Sequence, residues 1–596
     1  MKIKYIDGKR FSLGIRAGAK RVVDNQDHLN EINVFPVPDA DTGTNMASTL
    51  RTVVENMEGN SSVDIDKSSK QIADSALEGA RGNSGVILAQ FFYGLYKGLG
   101  KSKKIDTEQF GQAARSAKEH AYDALSKPKE GTILTVIKDW AENVLENSKT
   151  IRDFEELLAK SLDVAKRSLE NTRNKLEALK SSGVVDSGAQ GFVYLLEGIT
   201  HFINRGRMKD LAQPDDAKTG SVVATEILPE DITFRFCTEC LIEGKNINIP
   251  EIRSKIDSMG DSIVIAGSPE KARLHIHSNE PAKVFAIVRK YGSLLQQKAD
   301  DMLKQFNISH SKHPSIALVT DSACDLPQEI IDKYHIYVIP VRLSFGQSTY
   351  IDKITITPEY FYRMMETEPH HPKTSQPPPT DFINAFGFLL THYESIIAIH
   401  LPSVASGTLQ GAVNATKQFP GKKITVIDAR SLSITFGMVV QKAAELIYKG
   451  KSHDEVVSII DKFPSKTQLF VNVPSLKYLM RSGRISKAKG LIAKFINIKP
   501  ILKLDERGMP IHFSKSFSNI GAVKKVLKFA MTLAKEKKNP RFVVAHANNL
   551  LIARFLRMKL YREFCMSDIS ILPIAPVLGA HAGNGTTAIG LCWSEE

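Results

Sequence analysis

The sequence predicts a multidomain protein: an all-α N-terminal region, a small α+β middle region, and a C-terminal α/β region of two subdomains. Three observations predict this. Between about residues 11 and 205, apolar residues recur at three- and four-residue spacings, as in SGVILAQFFYGLYKGL, ILTVIKDWAENVL and GFVYLLEGITHFI. From about 222 to 305 the pattern changes to strand-like ITFRFCTECLI and ARLHIHS beside helix-like AKVFAIVRKYG. Beyond 315, apolar runs such as SIALVTDS, IYVIPVRLSF, SIIAIHL, KITVIDA, QLFVNV, RFVVAHAN and ISILPIAPV alternate with helical segments. That alternation predicts α/β units around a largely parallel sheet.

Two polar stretches divide the regions. Residues 208–221, MKDLAQPDDAKTGS, carry a proline and read as a linker, and NISHSKHPS at 307–315 is a second, shorter junction. The boundaries fall at 1–207, 220–306 and 314–596, and no short-period repeat is visible. At 596 residues the chain is too long for one core.

Composition narrows the class. With 42% hydrophobic and 24% charged residues the chain reads as an ordinary globular protein, and no apolar run is long enough for a membrane helix. The start, MKIKYIDGKRF, has no apolar segment of signal-peptide type, so the expectation is a cytoplasmic protein. Five sparse cysteines, at 237, 240, 324, 565 and 592, argue against a disulfide framework. The net charge of +14 raises the question of nucleic acid, yet zinc-finger spacing, an RNA-binding signature and a basic tail are all missing. Residues 477–503 carry eight Lys/Arg and no Asp/Glu, which suits either a solvated face or docking against an anionic site or membrane surface.

The chemistry begins at 33–46, NVFPVPDADTGTNM. Pro36 and Pro38 hold the loop extended, and alternate residues of an extended chain point to one side, so Asp39 and Asp41 can reach one place. Residues 43–46 look like a helix start with free N–H groups for an anion. Hard oxygen ligands beside such a start suit Mg²⁺ carrying nucleotide phosphates; the alternative is an Asx-turn with surface aspartates. A second Gly-rich turn, GARGNSGVIL at 79–88, opens a long apolar helix. There Gly82, Asn83, Ser84 and Gly85 can offer amides and a hydroxyl to phosphate.

These motifs, with KPKEGTILTVI at 127–137 and GVVDSGAQG at 183–191, resemble the L subunit of dihydroxyacetone kinase, and more closely the kinase subunit of bacterial fatty acid kinase, FakA. The resemblance covers about 1–205 and implies a helical barrel whose acidic loop residues hold two Mg²⁺ on ATP. It implies Asp39 and Asp41 as metal ligands, with Asn33 in the place of a third aspartate in the glycerone kinases. It further implies Thr44, Asn45, Gly82, Asn83, Ser84, Asp186, Ser187 and Gly188 near the nucleotide. Ala40 stands where the family usually has Gly, and GVVDSGAQG where GVVDSGGxG is usual.

In the middle region, His275 and His277 stand two apart in RLHIHS and share a face of a strand. With Cys237 or Cys240 of FCTEC they could hold Zn²⁺, or simply form hydrogen bonds. FCTE and LHIHSNEP resemble the middle domain of fatty acid kinase, which implies a structural zinc, away from the chemistry, on Cys237, His275 and His277. Cys240 stays open as fourth ligand or bystander.

The last region resembles the DegV family of fatty-acid-binding FakB proteins, through VTDSACDLP at 319, KTSQPPPTDF at 373, SGTLQGA at 406, SGRISKAKG at 482, INIKPIL at 496 and HAGNGTTAIG at 581. A fatty acid needs an apolar tunnel and a few polar groups at its mouth. Hydroxyls of Thr374 and Ser406, an N–H of His581 and the charge of Arg484 suit a carboxylate, and Arg484 could equally hold the incoming phosphate. Ser375, Gly407 and Thr408 fall within the matching motifs. Where the family often reads K-x-R-T, this chain has Lys515, Ser516, Phe517 and Ser518.

Together the resemblances imply a fatty acid kinase with both components fused, making an acyl phosphate from ATP and a fatty acid, with Asp39, Asp41, Arg484 and His581 in catalytic roles. They imply a cytoplasmic homodimer, with an acyl-phosphate-using acyltransferase as a partner, peripheral membrane contact as an option and no nucleic acid. The alternatives are a lipid-binding regulatory fusion with an inactive kinase half, and a kinase of a small hydroxy-ketone. Acyl length, unsaturation preference and transfer within or between chains are not legible.

Overall fold

The run GNSGVILAQFFYGLYKGL is apolar on nearly every side, and a helix of that kind must lie inside a bundle. A computed structural model of the protein, which describes residues 2–34, 41–58, 62–205, 232–475, 477–482 and 498–594, places it there. The bundle helices are α1 (Gly8–Asp24), α2 (Thr42–Met57), α3 (Ile65–Gly79), α4 (Gly82–Leu99), α5 (Thr107–Asp123), α6 (Ile133–Asn147), α7 (Phe154–Thr172) and α8 (Ser187–Arg205). Every residue of α4 from 86 to 92 is buried. The ring of Phe91 lies 5.8 Å from Trp140 of α6 and 5.1 Å from Phe192 of α8, so three helices meet in one aromatic cluster. On its other side α4 touches α5 backbone to backbone: a Cβ on Gly94 would lie 2.6 Å from the Cα of Ala117. The common core runs from Phe11 in α1 to Phe202 in α8.

The middle region is a four-stranded sheet. Its strands β1 (Phe236–Glu243), β2 (Asp261–Gly267), β3 (Lys271–Ser278) and β4 (Ser293–Asp301) lie in the order β2-β3-β1-β4, with β3 antiparallel to both β1 and β2. Both strands read from the sequence are present, as is the helix in AKVFAIVRKYG, at Pro281–Val288. The loop after α5 adds to the edge of β2: Leu125 bridges Val264, and Ile265 N–H donates to Ala124 O at 3.1 Å. Arg253 Nη2 closes the same seam on Asp123 O at 2.7 Å. Bundle and middle sheet thus form one compact unit, Met1–Glu280 with Ala286–Asp300; the second unit is Pro281–Phe285 with Asp301–Glu596.

Among the described residues the second unit holds three sheets. Strands β5 (Ile316–Asp321), β6 (Tyr337–Ile339), β10 (Ser395–His400) and β11 (Lys423–Asp428) form a parallel sheet in the order β11-β10-β5-β6, as the alternating pattern predicts. The run IYVIPVRLSF divides at Pro340, which has no N–H for a ladder. Its second half, β7 (Arg342–Phe345), pairs instead with β8 (Ser348–Ile351) and β9 (Lys373–Ser375).

The third sheet corrects the expectation of a largely parallel sheet. Its strands are β12 (Thr467–Asn472), β13 (Lys499–Leu504), β14 (Pro510–Ser516), β15 (Arg541–His546), β16 (Ser570–Pro573) and β17 (Thr587–Cys592), in the order β14-β13-β12-β17-β15-β16. Only β15 and β16 are parallel. A tight turn at Asp505, whose carboxylate accepts from the amides of Arg507 and Met509, makes β13 and β14 a hairpin, and β17 returns between β12 and β15. Apolar runs look alike in either direction, so the sequence pattern cannot register this. Helices α9 (Asn519–Lys535) and α10 (Leu550–Phe564) pack on this sheet through Val526 and Leu556, and α11 (Pro576–Ala582) leads into β17.

Candidate functional site

Two cavities carry the residues singled out above, one in each unit. In the first unit a cavity of about 310 Å³ is lined by Thr42, Asn83, Ser84, Asp186 and Gly188, together with Lys127, Lys129, Asp257 and Asp261. Thr42, Asn83 and Ser84 stand in the first turns of α2 and α4, and Gly188 in that of α8, where N–H groups have no partner within the helix. Gly82, the first residue of α4, has φ +58°, and a Cβ there would lie 2.4 Å from Asn45 Nδ2. Only glycine fits this turn.

Asn33 is buried and its Oδ1 accepts from Thr42 Oγ1 at 2.9 Å. Asp41 directly precedes α2, while Asp39 and both prolines lie outside the described residues. Thr44 is not among the residues that line the cavity and is held by Asn30, whose Nδ2 donates to its Oγ1 at 3.0 Å. Asn45 supports Gly82 from behind. Asp186 accepts the Ala189 N–H at 2.8 Å, and burial pushes its carboxyl up to about 6, against the opposing pull of the Ala189 and Ile133 amides. Ser187 Oγ is turned away, donating to Leu29 O at 2.6 Å.

The middle sheet meets this site. Cys237 and His277 are cross-strand partners, as are Glu239 and His275, so all four side chains and Arg273 share one face. One ligand atom from each of Cys237, His275 and His277 lies within 4.8 Å of the others. His275 Nε2 is buried without a hydrogen-bond partner among the described residues. Such a set, two imidazoles and a thiol with an unpaired ring nitrogen, fits Zn²⁺. Cys240 does not join it: three residues along the strand it points to the opposite face and is fully buried in the sheet core.

The cluster is not remote from Asp41 and the cavity, contrary to the expectation of a zinc away from the chemistry. Burial, then the charges of Glu239, Asp300 and Asp41, push the Cys237 thiol far up. Burial pulls His277 below its ordinary range, with Asp261 and Asp41 pulling the other way, and Asp261 Oδ1 lies 3.2 Å from His277 Nδ1 while lining the cavity. Glu239, which the sequence reading missed, accepts the Gly82 N–H at 2.6 Å. Burial alone would raise its carboxyl, but His275, Lys298 and that amide hold it at about 2. The missed signal was parity: Glu239 stands two residues from Cys237 and Arg273 two from His275, so both charges lie on the histidine face.

In the second unit a cavity of about 240 Å³ has walls that include Leu401, Leu469, Val471, Leu502, Ile574 and Leu578. Thr374, Ser375, Ser406, Gly407 and His581 line it too. Thr374, from β9, and His581, from α11, meet with Oγ1 3.0 Å from Nε2. Ser406 Oγ lies 2.8 Å from the Oγ1 of Thr408, which is itself buried away from the lining. Gln376 and Lys503 also line the cavity and were not singled out from sequence. Arg484 lies outside the described residues.

Comparison with known families fits these units. Family models match residues 36–201 as a DAK2 domain, 233–309 as a FakA-like middle domain of the fatty acid kinase type, and 315–594 as the DegV family. The chain therefore carries a DAK2 domain, a FakA-like middle domain and a DegV domain. An uncharacterized protein of Staphylococcus epidermidis is 38% identical over 313 residues, 51% of this chain and 56% of its own length. An uncharacterized protein of Staphylococcus aureus is 37% identical over 315 residues, 51% of this chain and 57% of its own. The chain spans about half the length of the curated relatives it matches. A solved DegV family protein from Thermus thermophilus, described as binding fatty acid, is 27% identical with a TM-score of 0.45, covering 47% of this chain and 100% of that one. Among the described residues no helix is long and apolar enough to cross a membrane.

Asp186 of the DAK2 domain yields a pH prediction. Its folded pKa lies above the unfolded value of 3.8, so its neutral form stabilises the fold below that value and the contribution is lost as pH rises through about 6. The difference corresponds to ~3 kcal/mol. The Asp186→Asn protein should therefore gain in melting temperature over wild type at pH 7 relative to the same comparison at pH 4. A difference constant between those pH values contradicts the assignment.

Proposed function

We propose that the protein is a fatty acid kinase with kinase and acyl-binding parts on one chain. The observation that carries this reading is the presence, in order, of a DAK2 domain, a FakA-like middle domain and a DegV domain. The first cavity takes ATP, with phosphates on the amides and hydroxyl at Asn83 and Ser84 and with Lys127 and Lys129 within reach. Asp39, Asp41 and Asn33 hold Mg²⁺, which neutralises phosphate charge. Cys237, His275 and His277 hold Zn²⁺, and the sheet that carries them braces the Gly82 turn.

The second cavity takes a fatty acid, its chain among the leucines and its carboxylate at Thr374, Ser406 and His581. A fatty acid carboxylate is ionised at pH 7, so it attacks the γ-phosphorus without a general base. A carboxylate O–P bond forms, the bond to the ADP oxygen breaks, and an acyl phosphate and ADP result. An N–H of His581 donates to the carboxylate or the developing acyl phosphate, Thr374 steadies that ring at Nε2, and Arg484 meets the transferred charge. An apolar cavity around the acyl chain slows hydrolysis of the product. The reading extends to a cytoplasmic homodimer that passes the acyl phosphate to an acyltransferase.

The test is ATP consumption dependent on added fatty acid, with the acyl phosphate trapped by hydroxylamine. Asp41→Ala should abolish it. Ser406→Ala should lower it about ten- to a hundredfold, the worth of one hydrogen bond to a charged group, with ATP binding unchanged. Mixing the two variants should restore activity if transfer runs between chains and leave it low if it runs within one. A wild-type protein that binds fatty acid but never consumes ATP would favour the regulatory lipid-binding alternative. Elemental analysis of protein purified without chelator should find about one zinc per chain; a zinc-free protein would leave His275 and His277 as hydrogen-bonding strand residues.

A further inference from the structure

The middle sheet reaches the Gly82 turn through the side chain of Glu239. Glu239 Oε1 accepts the Gly82 N–H at 2.6 Å and lies 3.3 Å from His275 Nδ1. Its other oxygen accepts from Arg273 Nη2 at 3.2 Å, and Arg273 Nη1 donates to Gln296 Oε1 at 2.9 Å. Glu239 is 1% and Arg273 0% exposed. A buried carboxylate held by a guanidinium, an amide and an imidazole has little freedom to turn, because each lost partner leaves an uncompensated charge. One end of this arrangement fixes the start of α4, whose next two residues line the cavity. The other end touches one of three side chains that fit a cation.

We propose that Glu239 is a positioning residue that couples cation binding at Cys237, His275 and His277 to nucleotide binding at the Gly82 turn. The inference rests on the ATP-site reading above. His275 Nδ1–H and the Gly82 N–H share Glu239 Oε1. A cation on Nε2, the ring nitrogen without a partner among the described residues, keeps the proton on Nδ1, so that Oε1 holds the His275 ring and the Gly82 turn together. The turn is held with its following amides and the Ser84 hydroxyl aimed into the cavity. Coupling of this kind is reciprocal: the factor by which the cation tightens nucleotide binding is the factor by which nucleotide tightens cation binding.

The experiment uses the full chain. Zn²⁺ affinity is measured against a competing chelator, with and without Mg²⁺ and a non-hydrolysable ATP analogue, and analogue affinity is measured with and without Zn²⁺. Both should change by one common factor, about five- to tenfold. Hydrogen exchange in the peptide containing Gly82 should slow when Zn²⁺ binds the nucleotide-free protein. The Glu239→Ala/Arg273→Met protein, which removes both buried charges and keeps all three cation-binding side chains, should bind Zn²⁺ with an affinity indifferent to the analogue. Equal Zn²⁺ affinity with and without analogue overturns the coupling, as does unchanged exchange at Gly82 or coupling retained in the folded double variant. Should that variant fail to fold, the exchange measurement on wild type decides. A wild-type protein that takes up Zn²⁺ but binds no analogue overturns the ATP-site reading instead.

Discussion

Helix α4 must begin with a glycine in the left-handed region, pressed against Asn45, and must present that glycine's amide to a buried carboxylate. Much else in the first unit follows from that constraint. The helix behind Gly82 is buried on nearly every side, so it cannot rotate or slide without disturbing the aromatic cluster of Phe91, Trp140 and Phe192. Glu239 can reach Gly82 only because β1 and β3 place it on the inner face, and it stays ionised there because Arg273, His275 and the amide all meet it. The lining of the cavity by both bundle and middle sheet expresses the same constraint: the parts that would hold phosphates are braced by a domain that holds none of them.

The second unit sets a few polar side chains, Thr374, Ser375, Ser406 and His581, in the wall of a largely apolar cavity. The contact between Thr374 and His581 joins β9 of the small antiparallel sheet to α11, which leads into the six-stranded sheet. Both residues are thus set by regular elements rather than by a free loop, which favours accurate placement. Apolar side chains from β10's end, β12, β13 and α11 supply the rest of the wall.

Much of this was legible in the sequence. Helical periodicity gave the bundle, and GARGNSGVIL gave both the helix and its unusual start. Strand alternation put His275 and His277 on one face, and the same alternation decides against Cys240, whose offset of three from Cys237 turns it away. Reading charges with that rule would also have found Glu239 and Arg273, which are distant in sequence and become partners only through the register of β1 on β3. Strand direction in the six-stranded sheet was not legible, because an apolar run carries no sign of its orientation. Nor was the contribution of Asp257 and Asp261 to the cavity, since residues in a short turn and at the start of β2 reach it only when the sheet docks against the bundle.

The proposed chemistry stands on a fatty acid carboxylate attacking the γ-phosphorus of ATP. The most direct measurement is ³¹P NMR of the products when the fatty acid carboxylate carries ¹⁸O. The expected result is an acyl phosphate resonance bearing the isotope shift of one bridging ¹⁸O, and inorganic phosphate with the same label when hydroxylamine, which attacks the acyl carbon, takes the acyl group. ATP turnover that, with hydroxylamine present throughout, gives no labelled acyl phosphate and only unlabelled inorganic phosphate would mean that water is the acceptor, and would contradict it.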